Sequence, residues 1–397
     1  MIKKLLISLV VITFFDGCNS DKSTSEEPNK KETQEINKQA IDIRNTISKD
    51  IVIAHRGTTY WAPEETEPAF RWARNIGADY LEFDLQMTKD SILVVTHDNT
   101  LLRTSNVKDI FPDVNKPTTN DFTLKELRTL DFGSNFNNKN KDRARESFID
   151  AKIMTFHDVI MIAEGYQIKK DVDGLPVKEI VKGEWNGKYL YEKDPKDNLN
   201  RPGVYAETKK LHLEKLLLKE LKEYKWLITD NPKEIKVYKG KVGTANTKSR
   251  IILQTFYKRS ITQINKYLPG IPKCFLIWRP DMLEGFTSNN DSLINKELKK
   301  KYIDIINYCT DNNVEIIGSS ITGKPNNYGE LTATWMVELV HKSGMIVHPY
   351  TFDTVDDFNK YAKQVDGVFT NRADLALEFY KRNTDVDAVK VLEELGY

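Results

Sequence analysis

Two imidazoles, His55 and His97, two carboxylates, Glu82 and Asp84, and one guanidinium, Arg56, fall within residues 51–98, each in or at the end of a strand-like apolar run. A third acid and an ammonium follow in Val204-Tyr205-Ala206-Glu207-Thr208-Lys209. Side chains alternate across a strand, so Glu82 and Asp84 share one face, and Glu207 and Lys209 share another. Should both faces line one interior, three carboxylates converge, and close carboxylates repel unless a cation or protons compensate. Oxygen-only donors point to a hard divalent ion, calcium or magnesium, rather than to zinc, for which Cys or His is more usual. Two imidazoles and an arginine beside such an ion suit a reaction that moves protons at two places while an anion gains charge. Cleavage of a phosphodiester is of that kind: one imidazole deprotonates the attacking hydroxyl, the other protonates the leaving alkoxide, and Arg56, Lys209 and the metal stabilise the equatorial oxygens. His157, His212 and His341 are read as structural, as lone histidines usually are. Gln254 ends a strand-like run with a polar side chain that can face the pocket, and Trp278 follows another, either as an apolar wall beside the substrate or as barrel packing.

These groups need a rigid frame. Short runs rich in Val, Ile, Leu and Phe at 51–55, 79–84, 203–207, 250–255, 273–278, 314–318, 345–348 and 366–370 alternate with longer helix-like stretches, the pattern of βα units around a parallel sheet. Eight such runs predict an α/β fold, a closed TIM (β/α)8 barrel with loop insertions, whose reactive groups stand at the C-terminal ends of the strands. Residues 66–76 predict a helix with Pro68 near its start, where proline costs least, and 211–226 predict another with Leu213, Leu217, Leu221 and Tyr224 on one face. Residues 99–150, polar and loop-like, and 165–202, rich in Gly, Asp, Lys and Pro, are the expected insertions. Long loops after barrel strands tend to line or cover the active face.

Of 397 residues, 40% are hydrophobic, enough for a substantial core, and 59 basic against 58 acidic residues leave a net charge of +1 that argues against a nucleic-acid partner. Lys3, Lys4, an apolar run over 5–15 and Asp16-Gly17-Cys18 read as a signal peptide over 1–18. The run is too short for a membrane-spanning helix, which needs about 20 residues. Its end resembles the lipobox of bacterial lipoproteins, with Phe15 and Asp16 departing from the usual pattern and Cys18 as the lipidated residue. This implies an exported protein anchored to the cell envelope by lipid alone; the alternative is a secreted form with an incidental cysteine. Residues 19–45 are read as a flexible linker, 46–383 as the barrel and 384–397 as a C-terminal tail. Cys274 and Cys309, each in an apolar stretch, are expected as buried thiols rather than a bridge. Oligomeric state is left open.

Taken together the motifs resemble the glycerophosphodiester phosphodiesterase family. They are His55-Arg56-Gly57, Pro63-Glu64-Glu65-Thr66, Gly77-Ala78-Asp79 with Glu82 and Asp84, Thr88-Lys89-Asp90, Val94-Val95 with His97-Asp98, and Glu207-Thr208-Lys209. The likeness continues through Gln254-Thr255-Phe256, His348-Pro349-Tyr350-Thr351 and Val365-Asp366-Gly367-Val368-Phe369-Thr370-Asn371, so it covers nearly all of 50–380. It implies a barrel with His55 and His97 as the acid–base pair and Glu82, Asp84 and Glu207 as ligands of one divalent cation. The insertions and the His-Pro-Tyr-Thr segment resemble the exported, calcium-dependent branch, which favours calcium over magnesium. The activity implied is hydrolysis of a small-molecule glycerophosphodiester to sn-glycerol 3-phosphate and an alcohol. Alternatives are a related phosphodiesterase acting on lysophospholipid or a glycerophosphate polymer, and a non-catalytic lipoprotein that binds a phosphorylated ligand. Glu65 and Asn371 depart from the family pattern; neither is expected to touch a catalytic role, with Glu65 altering charge at the mouth.

Overall fold

Parallel strands form in each of the eight apolar runs: β1 (Ile51–Ala54), β2 (Tyr80–Met87), β3 (Gly203–Thr208), β4 (Ile251–Thr255), β5 (Lys273–Ile277), β6 (Ile316–Ser319), β7 (Ile346–Val347) and β8 (Gly367–Thr370). The computed structural model describes residues 34–227, 249–288, 290–321 and 329–397. Residues 1–33, with Cys18, the signal-like segment and the start of the expected linker, lie outside the described residues. From β1 to β7 each strand pairs with its neighbour in sequence, and β8 returns to β1 with Ile51 opposite Gly367 and Ala54 opposite Thr370. The seam between β7 and β8 is closed by Asp366 N donating to Val347 O and Phe369 N to Pro349 O, both at 3.0 Å. The result is the predicted barrel.

Alternation along the strands sorts the apolar residues into two layers. Val52, Ala54, Leu81, Phe83, Leu85, Val204, Ala206 and Leu253 pack outward against the helices. Ile51, Ile53, Tyr80, Tyr205, Ile252, Cys274, Leu276 and Phe369 fill the barrel interior. Both faces are therefore buried, which is why these runs read as continuous apolar stretches rather than alternating ones. Continuing the inward rows toward the C-terminal ends leads from Tyr80 to Glu82 and Asp84, from Tyr205 to Glu207 and from Ile252 to Gln254. The registers set Asp84 opposite Glu207 and Glu207 opposite Gln254. The polar groups thus stand on an apolar plug.

The helix Glu67–Ile76 buries Ala69, Phe70, Trp72, Ala73 and Ile76 and stops at Gly77, whose φ of 103° ends the helical path. The helix Glu214–Glu223 is shorter than expected, with Leu213, Leu217 and Leu221 buried on one side. After β2 the chain doubles back as Leu93–Val95, antiparallel to β2 with Leu85 opposite Val95, and this hairpin returns His97 to the mouth of the barrel. Cys274 and Cys309 are buried free thiols.

Four expectations are corrected. Residues 99–150 are not loop-like: short helices at Val107–Ile110, Leu124–Leu127 and Ser134–Lys139 enclose a small core of Leu101, Val107, Phe122, Leu124, Leu127 and Leu130. Residues 165–202 form two antiparallel pairs, Tyr166–Ile168 with Tyr191–Lys193 and Lys178–Val181 with Glu184–Tyr189. They sit against the Glu67–Ile76 helix, where Asp194 accepts from Arg71 at 2.8 and 2.9 Å and from Arg74 at 2.5 Å, and none of them lines the catalytic cavity. The end of the expected linker is folded, because Ile36 is buried, its N donates to Ser343 O at 3.0 Å, and the helix Lys38–Arg44 follows. The expected tail carries the helix Ala388–Glu394, which buries Val391 and Leu392 and accepts the Trp72 indole N–H at Ala388 O, 3.0 Å away.

Candidate active site

A cavity of about 330 Å³ opens above the plug, and its lining includes His55, Arg56, Glu82, Asp84, His97, Glu207, Lys209, Gln254 and Trp278. All nine pocket residues expected from the sequence are there. His157, His212 and His341 are elsewhere: His157 stacks on Tyr224 with ring centroids 3.9 Å apart, and His341 Nε2 lies 2.8 Å from Asp366.

The chain reverses sharply after β1. Arg56 and Gly57 take φ of 54° and 75°, and a Cβ on Gly57 would come within 2.8 Å of the Ala69 backbone, so only glycine fits there. A left-handed conformation is costly for arginine, and here it aims the Arg56 N–H at Glu82 Oε2, 2.7 Å away. The other oxygen of Glu82 accepts from the Gln254 amide at 2.7 Å. Lys209 Nζ lies 3.0 Å from Glu207 and 3.6 Å from Asp84, and Arg56 Nε lies 3.5 Å from Asp84 Oδ2, an oxygen that accepts no hydrogen bond.

Burial is the main force on these acids. It pushes the Glu82 carboxyl well above its usual range, aided by the charge of Asp84, and the same causes bring Glu207 to about 8. Burial also pushes Asp84 upward, but Lys209, His97 and Arg56 outweigh it and hold that carboxyl below its usual range. Among the described residues no three Asp, Glu, His or Cys side chains are already spaced as a metal cage; the carboxylates lie against Arg56, Gln254 and Lys209. The donor chemistry fits a hard cation all the same. Three buried carboxylates, two of them with raised pKa and one with an oxygen lacking a hydrogen-bond partner, are what such an ion would compensate.

The histidines have different surroundings. His55 Nδ1 meets Asn371 Oδ1 at 2.8 Å, and the Asn371 amide nitrogen donates to Asp353 Oδ2 at 2.8 Å. A carboxylate can only accept, so the NH2 of Asn371 faces Asp353 and its oxygen faces His55. His55 therefore carries its proton on Nδ1 and leaves the Nε2 lone pair free. Burial, with Arg56 beside it, drives its pKa down to about 3, so it is neutral at ordinary pH. His97 stands with 34% of its side chain exposed, and its Nδ1 lies 2.7 Å from Asp98 Oδ1.

A chain of alternating charge joins the two sides. Arg103 donates to Asp98 at 2.7 and 3.0 Å and to both oxygens of Glu64 at 2.7 and 2.6 Å, and Glu64 accepts from Arg56 at 3.1 Å. The sequence alone assigns no role to Glu64, Asp98 or Arg103. Glu64 and Asp98 stand in the quoted motifs, but Arg103 belongs to the insertion and carries no local signal. The expectation that Glu65 and Asn371 touch no catalytic role is corrected as well. Asn371 fixes the His55 proton, and Glu65 accepts the Asp84 backbone N–H at 2.8 Å.

Known proteins agree with this picture. Residues 55–375 match the model of the glycerophosphoryl diester phosphodiesterase family. A glycerophosphodiester phosphodiesterase of Bacillus subtilis is 26% identical over 334 residues, covering 83% of this chain and 87% of that protein. One from Caldanaerobacter subterraneus is 26% identical and covers 84% of this chain and 99% of its own. In fold, the chain is similar to an Oleispira antarctica phosphodiesterase solved with the product sn-glycerol-3-phosphate, with a TM-score of 0.52 at 15% identity over 83% of this chain and 96% of that one. It is likewise similar to a glycerophosphodiester phosphodiesterase of Agrobacterium tumefaciens, with a TM-score of 0.50 at 18% identity over 83% and 99%. By motif, fold and site, the chain belongs to the glycerophosphoryl diester phosphodiesterase family and is an enzyme that acts on glycerophosphodiesters.

Proposed function

We propose that the protein hydrolyses glycerophosphodiesters to sn-glycerol 3-phosphate and an alcohol, with His55 as general base and His97 as general acid. The observation that carries this is the unequal dressing of the two imidazoles: an amide oxygen on His55, a carboxylate on half-exposed His97. His55 Nε2 takes a proton from the attacking water as its oxygen forms the new P–O bond. The P–O bond to the alcohol breaks, and the alkoxide takes its proton from His97. Arg56 and Lys209 line the same cavity and hold the non-bridging oxygens as their charge grows. Glu82, Asp84 and Glu207 would hold one divalent cation, calcium in preference to magnesium, which supplies further positive charge to the phosphoryl group. Gln254 positions Glu82, and Trp278 walls the cavity on its apolar side.

His55→Ala and His97→Ala, assayed for glycerol 3-phosphate release, each lose at least about 100-fold in kcat with the circular dichroism unchanged. Chelation silences the enzyme, and calcium restores it better than magnesium. Full activity in either variant overturns the assignment, and full activity in chelator overturns the metal. We also infer export as a lipoprotein anchored at Cys18, supported by the signal-like pattern of 1–18. Mass spectrometry of the mature N-terminus tests it: a diacylglyceryl-modified Cys18 is expected, and an unmodified cut site overturns it.

A further inference from the structure

Glu207 and Lys209 flank Thr208, the last residue of β3, where the ladder holds least. Both line the catalytic cavity, with Lys209 Nζ 3.0 Å from Glu207. Beyond Thr208 the next backbone bond, from Lys209 N to Leu85 O, is 3.3 Å long. A residue that holds a cation or a phosphate needs its place fixed to about 0.5 Å, so this end of the strand needs a further restraint.

The restraint lies behind the strand, on the side away from the cavity. The outward row of β3 runs Val204, Ala206, Thr208, and the first two pack against the helices. Thr208 breaks the apolar row: it is completely buried, and its Oγ1 lies 2.8 Å from Ser260 Oγ on the helix Lys258–Tyr267. Ser260, buried as fully, donates to Oε1 of Glu214, the first residue of the helix Glu214–Glu223 and itself without exposed surface. The one proton of Ser260 is committed to Glu214, so Thr208 is the donor in the other bond. Burying two hydroxyls and a carboxyl costs free energy that apolar side chains of similar size would not. Behind Glu82 and Asp84 the same row of β2 is Leu81, Phe83 and Leu85, all apolar. β2 manages without a polar restraint because it runs on to Met87 and pairs there with Leu93–Val95, whereas β3 stops one residue after Glu207.

We infer that Thr208, Ser260 and Glu214 form a positioning chain, by which two helices hold the end of β3 from behind and so set Glu207 and Lys209 in the cavity. The inference rests on the cation and phosphate roles proposed above, and it assigns a part in them to three side chains that touch neither group.

The test uses purified full-length protein and three variants. Thr208→Val keeps the shape of the side chain and removes the donor, Thr208→Ser keeps the donor, and Ser260→Ala removes the middle link. Calcium affinity is read by isothermal titration without substrate, alongside kcat and KM for a glycerophosphodiester and the thermal midpoint. Thr208→Val and Ser260→Ala each weaken calcium binding by about tenfold or more, as for loss of a group that orients a metal ligand, and Thr208→Ser restores it to within about threefold. A chain that served stability alone would lower the midpoint and leave the calcium affinity of the folded protein unchanged. Parent-like calcium affinity in both Thr208→Val and Ser260→Ala therefore overturns the positioning chain and leaves the metal reading intact. No calcium uptake by the parent protein instead overturns the metal reading, and the chain's role with it.

Discussion

The amide oxygen of Asn371, on the loop after the last barrel strand, lies 2.8 Å from Nδ1 of His55, at the end of the first. Asp353 anchors the same amide from behind, at 2.8 Å to its nitrogen and 3.0 Å to the Asn371 backbone N–H. One side chain therefore chooses which nitrogen of the general base is free. Asn371→Leu removes that choice, and kcat falls by about 100-fold or more with little change in KM, because the loss is of proton transfer and not of binding. Asn371→Asp still accepts from Nδ1 and stays active, but its negative charge favours the imidazolium. The His55 pKa rises, and the acidic limb of kcat/KM moves to higher pH.

Arg103 holds Asp98 and Glu64 with two pairs of hydrogen bonds. Arg103→Ala frees both carboxylates, so His97 loses its fixed orientation and Arg56 loses one restraint. A fall in kcat/KM of about 10- to 100-fold is expected, as for loss of a group that orients a ligand or base. Arg103→Lys fails to rescue it, since a point charge cannot reproduce the fork. Steady-state kinetics with one diester decide the matter.

Far from the site, Asp194 is completely buried and joins Arg71 and Arg74, whose side chains are 3% and 0% exposed. Asp194→Ala removes the shared counter-ion of two buried guanidiniums, leaving Arg74 only Asp197 at 3.8 Å, and costs about 3–5 kcal/mol, measured by urea unfolding. Because no group of this cluster lines the cavity, kinetics at 25 °C stay within about twofold of the parent.

His348 lies under the site, its Nδ1 3.2 Å from the Tyr205 hydroxyl and its Nε2 without a hydrogen-bond partner. Burial lowers its pKa from 6.5 to about 4. With the folded value below the unfolded one, the unfolded chain binds the extra proton first, so stability is full above pH 6.5 and declines as pH falls toward about 4. His348→Gln, which cannot take that proton, flattens this part of the stability profile. Urea titrations at pH 7, 6 and 5 show it as a smaller change in midpoint.

The barrel was legible because both faces of each strand are buried, which leaves continuous apolar runs such as Ile51–Ala54 and Lys273–Ile277 for the eye to find. The carboxylate rows were legible for a related reason: the two-residue period fixes Glu82 and Asp84 to one face whatever the rest of the chain does. What escaped depends on distant pairing or on very short elements. The Asn371 contact spans 316 positions, and no local pattern connects it to His55. Helices of four residues, such as Leu124–Leu127, offer no periodicity; their only signal is a cap, here Thr123 with Glu126 answering it. The C-terminal helix likewise announced itself only through Asp387, which accepts from the Val389 and Lys390 N–H groups.

Ring closure between β8 and β1 has a consequence for the order in which competence appears. By the time the third barrel strand has been synthesised, both histidines and all three carboxylates are already in the chain. The base among them still lacks a partner to fix its proton, because Asn371 comes only after the eighth strand. From Glu207 to Asn371 a nascent chain thus carries its full reactive inventory without being able to use it, and the last strand to be made is the one that arms the first.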